Sequence, residues 1–148
     1  MKLIDGFNKY KLKYEEYVIL IKSGIFCYVY NDDVSVIYSF FNYKIKNKGD
    51  YYEIGFPKSS LVKICKGLEV NKISYIILET EKGSFCVVDK FKAVKNNYIK
   101  YTFDVNRYNY LNYRIDNICN KLNIKFKDDD IEKLLNKIEE LLWKINWW

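Results

Sequence analysis

The chain reads as an α+β domain, a mixed β-sheet flanked by helices, with a helical C-terminal extension. Three observations carry that expectation. Tyr17 to Tyr30, YVILIKSGIFCYVY, sets two β-branched and aromatic runs on either side of Ser23-Gly24, a hairpin pattern. Leu61, Ile64, Cys65 and Leu68 fall at i, i+3, i+4 and i+7, one helical stripe. Beyond residue 104, apolar residues recur at spacings of three and four along two long segments, as helices require. The chain has 148 residues, 49% hydrophobic and 18% aromatic, which suits one core and argues against disorder. The α+β core is placed at 1–103 and the extension at 104–148.

The elements follow in order. Residues 6–16 form a short helix with Phe7, Tyr10 and Tyr14 on one face. In the hairpin, alternation puts Phe26, Tyr28 and Tyr30 on one face and Cys27 and Val29 on the other. Gly24 is its turn former, because glycine tolerates positive φ. Asn31, Asp32 and Asp33 are capping residues for a helix over 34–41. A charged segment follows, turning at Asn47-Lys-Gly-Asp50, with a short strand at 51–54. Gly55 and Pro57 read as turn residues leading to Ser59 and Ser60, N-caps of the 61–70 helix. Strands are expected at 74–79 and 85–91, antiparallel about Lys82-Gly83, and a further one at 98–103. Tyr108, Leu111, Ile115, Ile118 and Leu122 mark the first C-terminal helix, capped by Asp104 or Asn106. Asp128, Asp129 and Asp130 open the second, matching the positive end of its dipole. Its stripe is Ile131, Leu134, Leu135, Ile138, Leu141, Leu142 and Ile145, with Trp143, Trp147 and Trp148 near the end. That stripe needs cover, which we assign to the domain, with self-association as the alternative.

Charge is uneven. Lys and Arg total 25 against 19 Asp and Glu, a net of +6. Residues 128–148 hold six acids and three lysines, which leaves 22 basic and 13 acidic residues, a net of +9, in 1–127. A basic body suits nucleic acid or an acidic membrane surface, and it is also what a lysine-rich composition gives by default. Cys27, Cys65, Cys86 and Cys119 lie in apolar runs without a CxxC pair, and His is absent. A zinc site is thereby disfavoured, and buried free thiols in a reducing compartment are expected. No signal core or membrane-length run is seen, so a cytoplasmic, soluble protein without membrane contact is expected.

Several segments together resemble the mismatch-recognition domain at the N-terminus of the MutS family. A Tyr- and Lys-rich first helix precedes YVILIKSGIFCYVYNDD, then come a helix, a charged loop, IGFPKSSLVKICKGL and a strand ending in Glu79. The family pattern Gly-Asp-Phe-Tyr-Glu becomes Gly24-Ile25-Phe26-Cys27-Tyr28, and the later Gly-Phe-Pro is Gly55-Phe56-Pro57. The resemblance covers roughly residues 6 to 95. It implies a stand-alone, ATP-independent DNA-binding module, since no GxxxxGK[ST] loop is present. In that family the Phe wedges beside a mispaired base and the Glu two residues on bonds to it. Phe26 holds the Phe position, while Tyr28 replaces the Glu and offers a hydroxyl but no carboxylate. The implied partner is DNA, bound weakly and salt-dependently, with Lys22, Lys44, Lys46, Lys48 and Lys58 as candidate phosphate contacts. As ordinary residues, the same lysines are solvated side chains and Phe26 and Tyr28 are sheet aromatics.

A second reading is a protein-interaction module of the same fold that no longer reads DNA, acting through the C-terminal helix on a protein partner or a second copy. Catalysis is not expected. Carboxylates such as Asp32, Asp33, Asp50 and Glu53 are the kind that bind a divalent metal, but Asp32 and Asp33 read as helix caps and Asp50 sits in a turn. No cofactor is expected.

Overall fold

The computed structural model describes residues 2–124 and 130–145. The expected caps Asp128 and Asp129 and the terminal Trp147 and Trp148 lie outside the described residues. The chain divides into two units, Met1–Val105 and Asn106–Trp148.

The first unit contains helix α1 (Leu3–Lys11), strands β1 (Val18–Ser23) and β2 (Phe26–Tyr30), and helix α2 (Asp32–Phe41). The short strand β3 (Lys46–Asn47) and β4 (Tyr52–Pro57) come next, then a 3₁₀ turn at Lys58–Ser60 and helix α3 (Leu61–Val70). Strands β5 (Tyr75–Glu81) and β6 (Ser84–Phe91) and the one-turn helix α4 (Tyr98–Tyr101) complete it. The six strands form one sheet in the order β3-β4-β2-β1-β5-β6. All neighbours are antiparallel except β1 and β5, which run parallel, so the sheet is mixed.

Period-two alternation builds two core layers. Val18, Leu20, Cys27, Val29, Ile54 and Phe56 face α2 and α3, meeting Val34, Ile37, Ile64 and Leu68. On the other face Phe7 of α1 covers Ile19, Ile21, Tyr30, Ile76 and Leu78. Residues 18–21 of the central strand β1 are therefore fully buried. Each such aliphatic side chain contributes roughly 1.5–3 kcal/mol of transfer free energy.

Several sequence expectations are corrected. The first helix runs from Leu3 to Lys11, because Leu3, Ile4, Phe7 and Tyr10 form its buried face, and Tyr14 lies beyond it. No side-chain cap bond is made by Asn31. Instead its Oδ1 accepts from the Tyr52 N–H at 3.1 Å, and Asp33 turns inward. Gly55 and Pro57 are strand residues of β4, paired with Tyr28 and Phe26. The Lys58 N–H donates to the Ile25 carbonyl at 2.9 Å, which makes the adjacent Phe26–Pro57 pair a non-hydrogen-bonded one. Pro57 thus lacks an N–H where the ladder with β2 needs none. Ser60 makes no cap bond, since the 3₁₀ turn satisfies the start of α3.

Residues 98–103 do not form a strand. Asn96 Oδ1 accepts from the Ser74 and Tyr98 N–H groups, and the Asn97 N–H donates to the Lys72 carbonyl at 2.8 Å. These fastenings bend the chain into α4 and bury Tyr98. Of the four free cysteines only Cys27 is buried; Cys65 and Cys86 are half-buried and Cys119 is exposed.

In the second unit α5 (Val105–Ile124) opens on the last residue of the first unit, and α6 (Asp130–Lys144) follows. No helix among the described residues is long and apolar enough to cross a membrane.

Candidate nucleic-acid interface

The β1–β2 hairpin is closed by two residues, Gly24 and Ile25, between the paired Ser23 and Phe26. Gly24 takes a φ of 60°, the positive value that the first position of a type II′ turn demands. This tight loop leaves Ile25 77% exposed and Phe26, the first residue of β2, 39% exposed. Ile25 did not figure among the candidate residues. The signal was its place as the second residue of a two-residue loop, where an apolar side chain has no cover.

Phe26, Tyr28 and Tyr30 share one sheet face and grade from exposed to buried. The Phe26 and Tyr28 rings are 6.3 Å apart and tilted by 38°. Tyr28 lies over Gly55, where an added Cβ would sit 3.0 Å from the ring. Glycine is needed there for that close approach. Tyr30 is enclosed by Phe7 and Tyr51, at 5.7 Å and 5.5 Å between ring centroids. Burial, followed by the neighbouring Glu53 carboxylate, pushes its phenol well above the ordinary value. Tyr30 is therefore part of the core, while Phe26 and Tyr28 remain accessible.

The lysines divide. Lys58 is exposed and follows Pro57, and its backbone bond to Ile25 keeps it beside the hairpin tip. Lys44, Lys46 and Lys48 are exposed on and around β3. Lys46 is cross-strand from Glu53, and Lys48 Nζ lies 3.6 Å from the Glu53 carboxylate, so their charge is partly offset. Lys22 belongs to the opposite face. It pairs across strands with Cys27 and Glu79 and lines a cleft of about 510 Å³ beside α3. It cannot act on the same surface as Phe26 and Tyr28.

Asp33 is the other residue that the sequence reading misplaced. Its carboxylate is fully buried and accepts from Lys11 Nζ at 2.6 Å, the Tyr98 hydroxyl at 2.6 Å and the Ile19 N–H at 2.8 Å. Burial pushes this carboxyl upward, against the pull of Lys11, Tyr98 and Ile19. The cluster ties α1, β1, α2 and α4 together. Among the described residues no group of three or more Cys, Asp or Glu side chains is placed to hold a metal ion.

No protein-family model matches the chain, and no curated protein matches it. The site combines an apolar tip, an aromatic ring seated on Gly55 beside it, and the Lys58 backbone tied to the turn.

Proposed function

We propose that this chain is a non-catalytic DNA-binding module organised like the mismatch-recognition domain of the MutS family, with weak or altered mismatch reading. The observation that carries the reading is the hairpin tip, where Ile25 and Phe26 are exposed and the Lys58 backbone is bonded to Ile25. The succession of helix, hairpin and helix, then Gly55-Phe56-Pro57, a helix and a strand supports it, being the order that the resemblance implies.

The chemistry is that of an apolar wedge. A mispaired or unpaired step is already weakly stacked, so inserting Phe26 costs little there and bends the duplex against more protein surface. Tyr28, seated on Gly55, supplies a phenolic hydroxyl in place of a carboxylate. Distortion is then recognised more strongly than base identity. Lys58 at the tip and Lys44 and Lys46 farther along the same sheet edge provide phosphate contacts, and Lys22 takes no part. Three such contacts give a slope of log affinity on log salt of roughly −3.

Fluorescence anisotropy with a labelled duplex carrying one unpaired base, and with its fully paired control, tests the reading. Binding that weakens with salt and favours the distorted duplex is expected. Phe26→Ala should lower affinity about tenfold, in line with the loss of one stacking contact. Absence of binding to either duplex at low salt refutes the proposal.

A further inference from the structure

We infer that the two C-terminal helices form the interface of a homodimer, with the α6 helices of two copies running antiparallel. This stands apart from the DNA reading and rests on the second unit alone.

Both helices carry a strict seven-residue repeat. In α5 the apolar positions 108, 111, 115, 118 and 122 alternate spacings of three and four, as do 131, 134, 138, 141 and 145 along α6 and the residue after it. A sustained period of 3.5 is the signature of helices that wind about a partner helix. Much of each seam is open to solvent, with Ile118 51% exposed in α5 and Leu141 59% exposed in α6, while Tyr108, Leu122, Ile131 and Ile138 are half-buried. Leu135 and Leu142 widen the α6 stripe beyond a two-position seam. Exposed apolar surface of this extent and regularity marks an association surface.

The charges of α6 select a second copy, and its direction. Stacking Ile131 on Leu141 of the second copy, and Leu134 on its Ile138, generates a pairing symmetric about residue 136. In that pairing Asp130 falls opposite Lys144 of the other copy, once at each end, and Lys137 meets its own counterpart at the centre. A parallel, in-register pairing sets Asp130 and Lys137 against Leu135 and Leu142, and no opposite charges meet. The antiparallel copy thus forms two opposite-charge pairs against one like pair of Lys137, where the parallel copy forms none. It does so with side chains that already pair within the helix, Asp130 with Lys133 at 3.8 Å and Lys144 with Glu140 at 3.2 Å. The α6 seam spans two heptads, about 22 Å at 1.5 Å per residue. The longer α5 stripe supplies further apolar surface, so each copy contributes two helices to a four-helix arrangement.

Sedimentation equilibrium of the full chain tests this. The expected result is a particle of twice 17.9 kDa that dissociates on dilution. Leu134→Glu with Leu141→Glu should give a monomer, with thermal unfolding of the α+β core as the check that the chain still folds. Lys144→Asp places like charges together at both ends and should raise the dimer dissociation constant roughly tenfold. Adding Asp130→Lys to that variant should restore it. A wild-type chain that stays monomeric at high concentration overturns the proposal. So does a dimer indifferent to the two leucine changes. A dimer that ignores the charge exchange overturns the antiparallel arrangement.

Discussion

Replacing Asp33 with alanine tests the account of how the first unit is held together. The carboxylate has no solvent exposure and three donors point at it. Lys11 is not stranded by the change, because its ammonium keeps the Tyr17 carbonyl at 2.7 Å and its side chain is 18% exposed. The Tyr98 hydroxyl and the Ile19 N–H are left without an acceptor. At about 1–3 kcal/mol for each buried group left unsatisfied, Asp33→Ala should cost about 3 kcal/mol. That lies at the lower end of the penalty for breaking a buried ion pair, as the partial exposure of Lys11 requires. The melting temperature should fall by about 10 °C. Urea unfolding followed by far-UV circular dichroism measures the loss, with the slope on denaturant unchanged. Tyr98→Phe removes only one of the three donors and should cost about 1 kcal/mol. If Asp33→Ala loses less than about 1 kcal/mol, the carboxylate is not the tie described here, because even one stranded donor would exceed that.

Three further outcomes are expected. Gly55→Val should destabilise the chain by about 1–3 kcal/mol through collision with the Tyr28 ring, and the same change should cost far less in a Tyr28→Ala background. A double-mutant cycle by urea unfolding reads that coupling. Burial raises the phenols of Tyr30, Tyr75 and Tyr98 above the ordinary value of 10.0. The folded state holds those protons where the unfolded chain releases them, so stability is intact below pH 10 and falls as pH rises past it. Absorbance titration at alkaline pH should accordingly show Tyr30, Tyr75 and Tyr98 ionising only with unfolding. Among the thiols, exposed Cys119 should react with a disulfide reagent first. Buried Cys27, its thiol pushed up by desolvation, should react only as the chain unfolds.

What the sequence revealed depended on how local the deciding interaction was. The β1–β2 hairpin, α3 and the β5–β6 hairpin were legible because a turn former and a periodic run sit side by side in each. Gly24 takes the positive φ its position implied, and Lys82 and Gly83 turn the chain as expected, both at positive φ. Phe26 and Tyr28 were found to share a face by alternation alone. Asp33 was read as a cap because an aspartate near a helix start is ordinarily one. Its true partners, Lys11 and Tyr98, are 22 and 65 residues away. Gly55 and Pro57 carried turn signals, yet both serve the sheet: one seats a tyrosine ring, the other stands where no ladder N–H is wanted. The strand expected over 98–103 failed for the same reason, since long-range asparagine bonds and not alternation set its course. Lys22 was grouped with the other lysines by charge, and only the sheet register places it on the far face.

The parallel joint between β1 and β5 has a consequence for how the chain reaches this state. Val18 pairs with Tyr75, whereas both hairpins close over two residues. Hairpins of that kind form in roughly 1–10 μs. The joint has to await β2, α2, β4 and α3, which occupy the intervening chain, and the entropy of closing so long a loop is met before any contact rewards it. Docking of the β5–β6 hairpin onto the edge of β1 is therefore the step expected to be slow. Until it occurs, the apolar edge of β1 stands open to any extended chain, and that interval is when this protein is most exposed to misassembly.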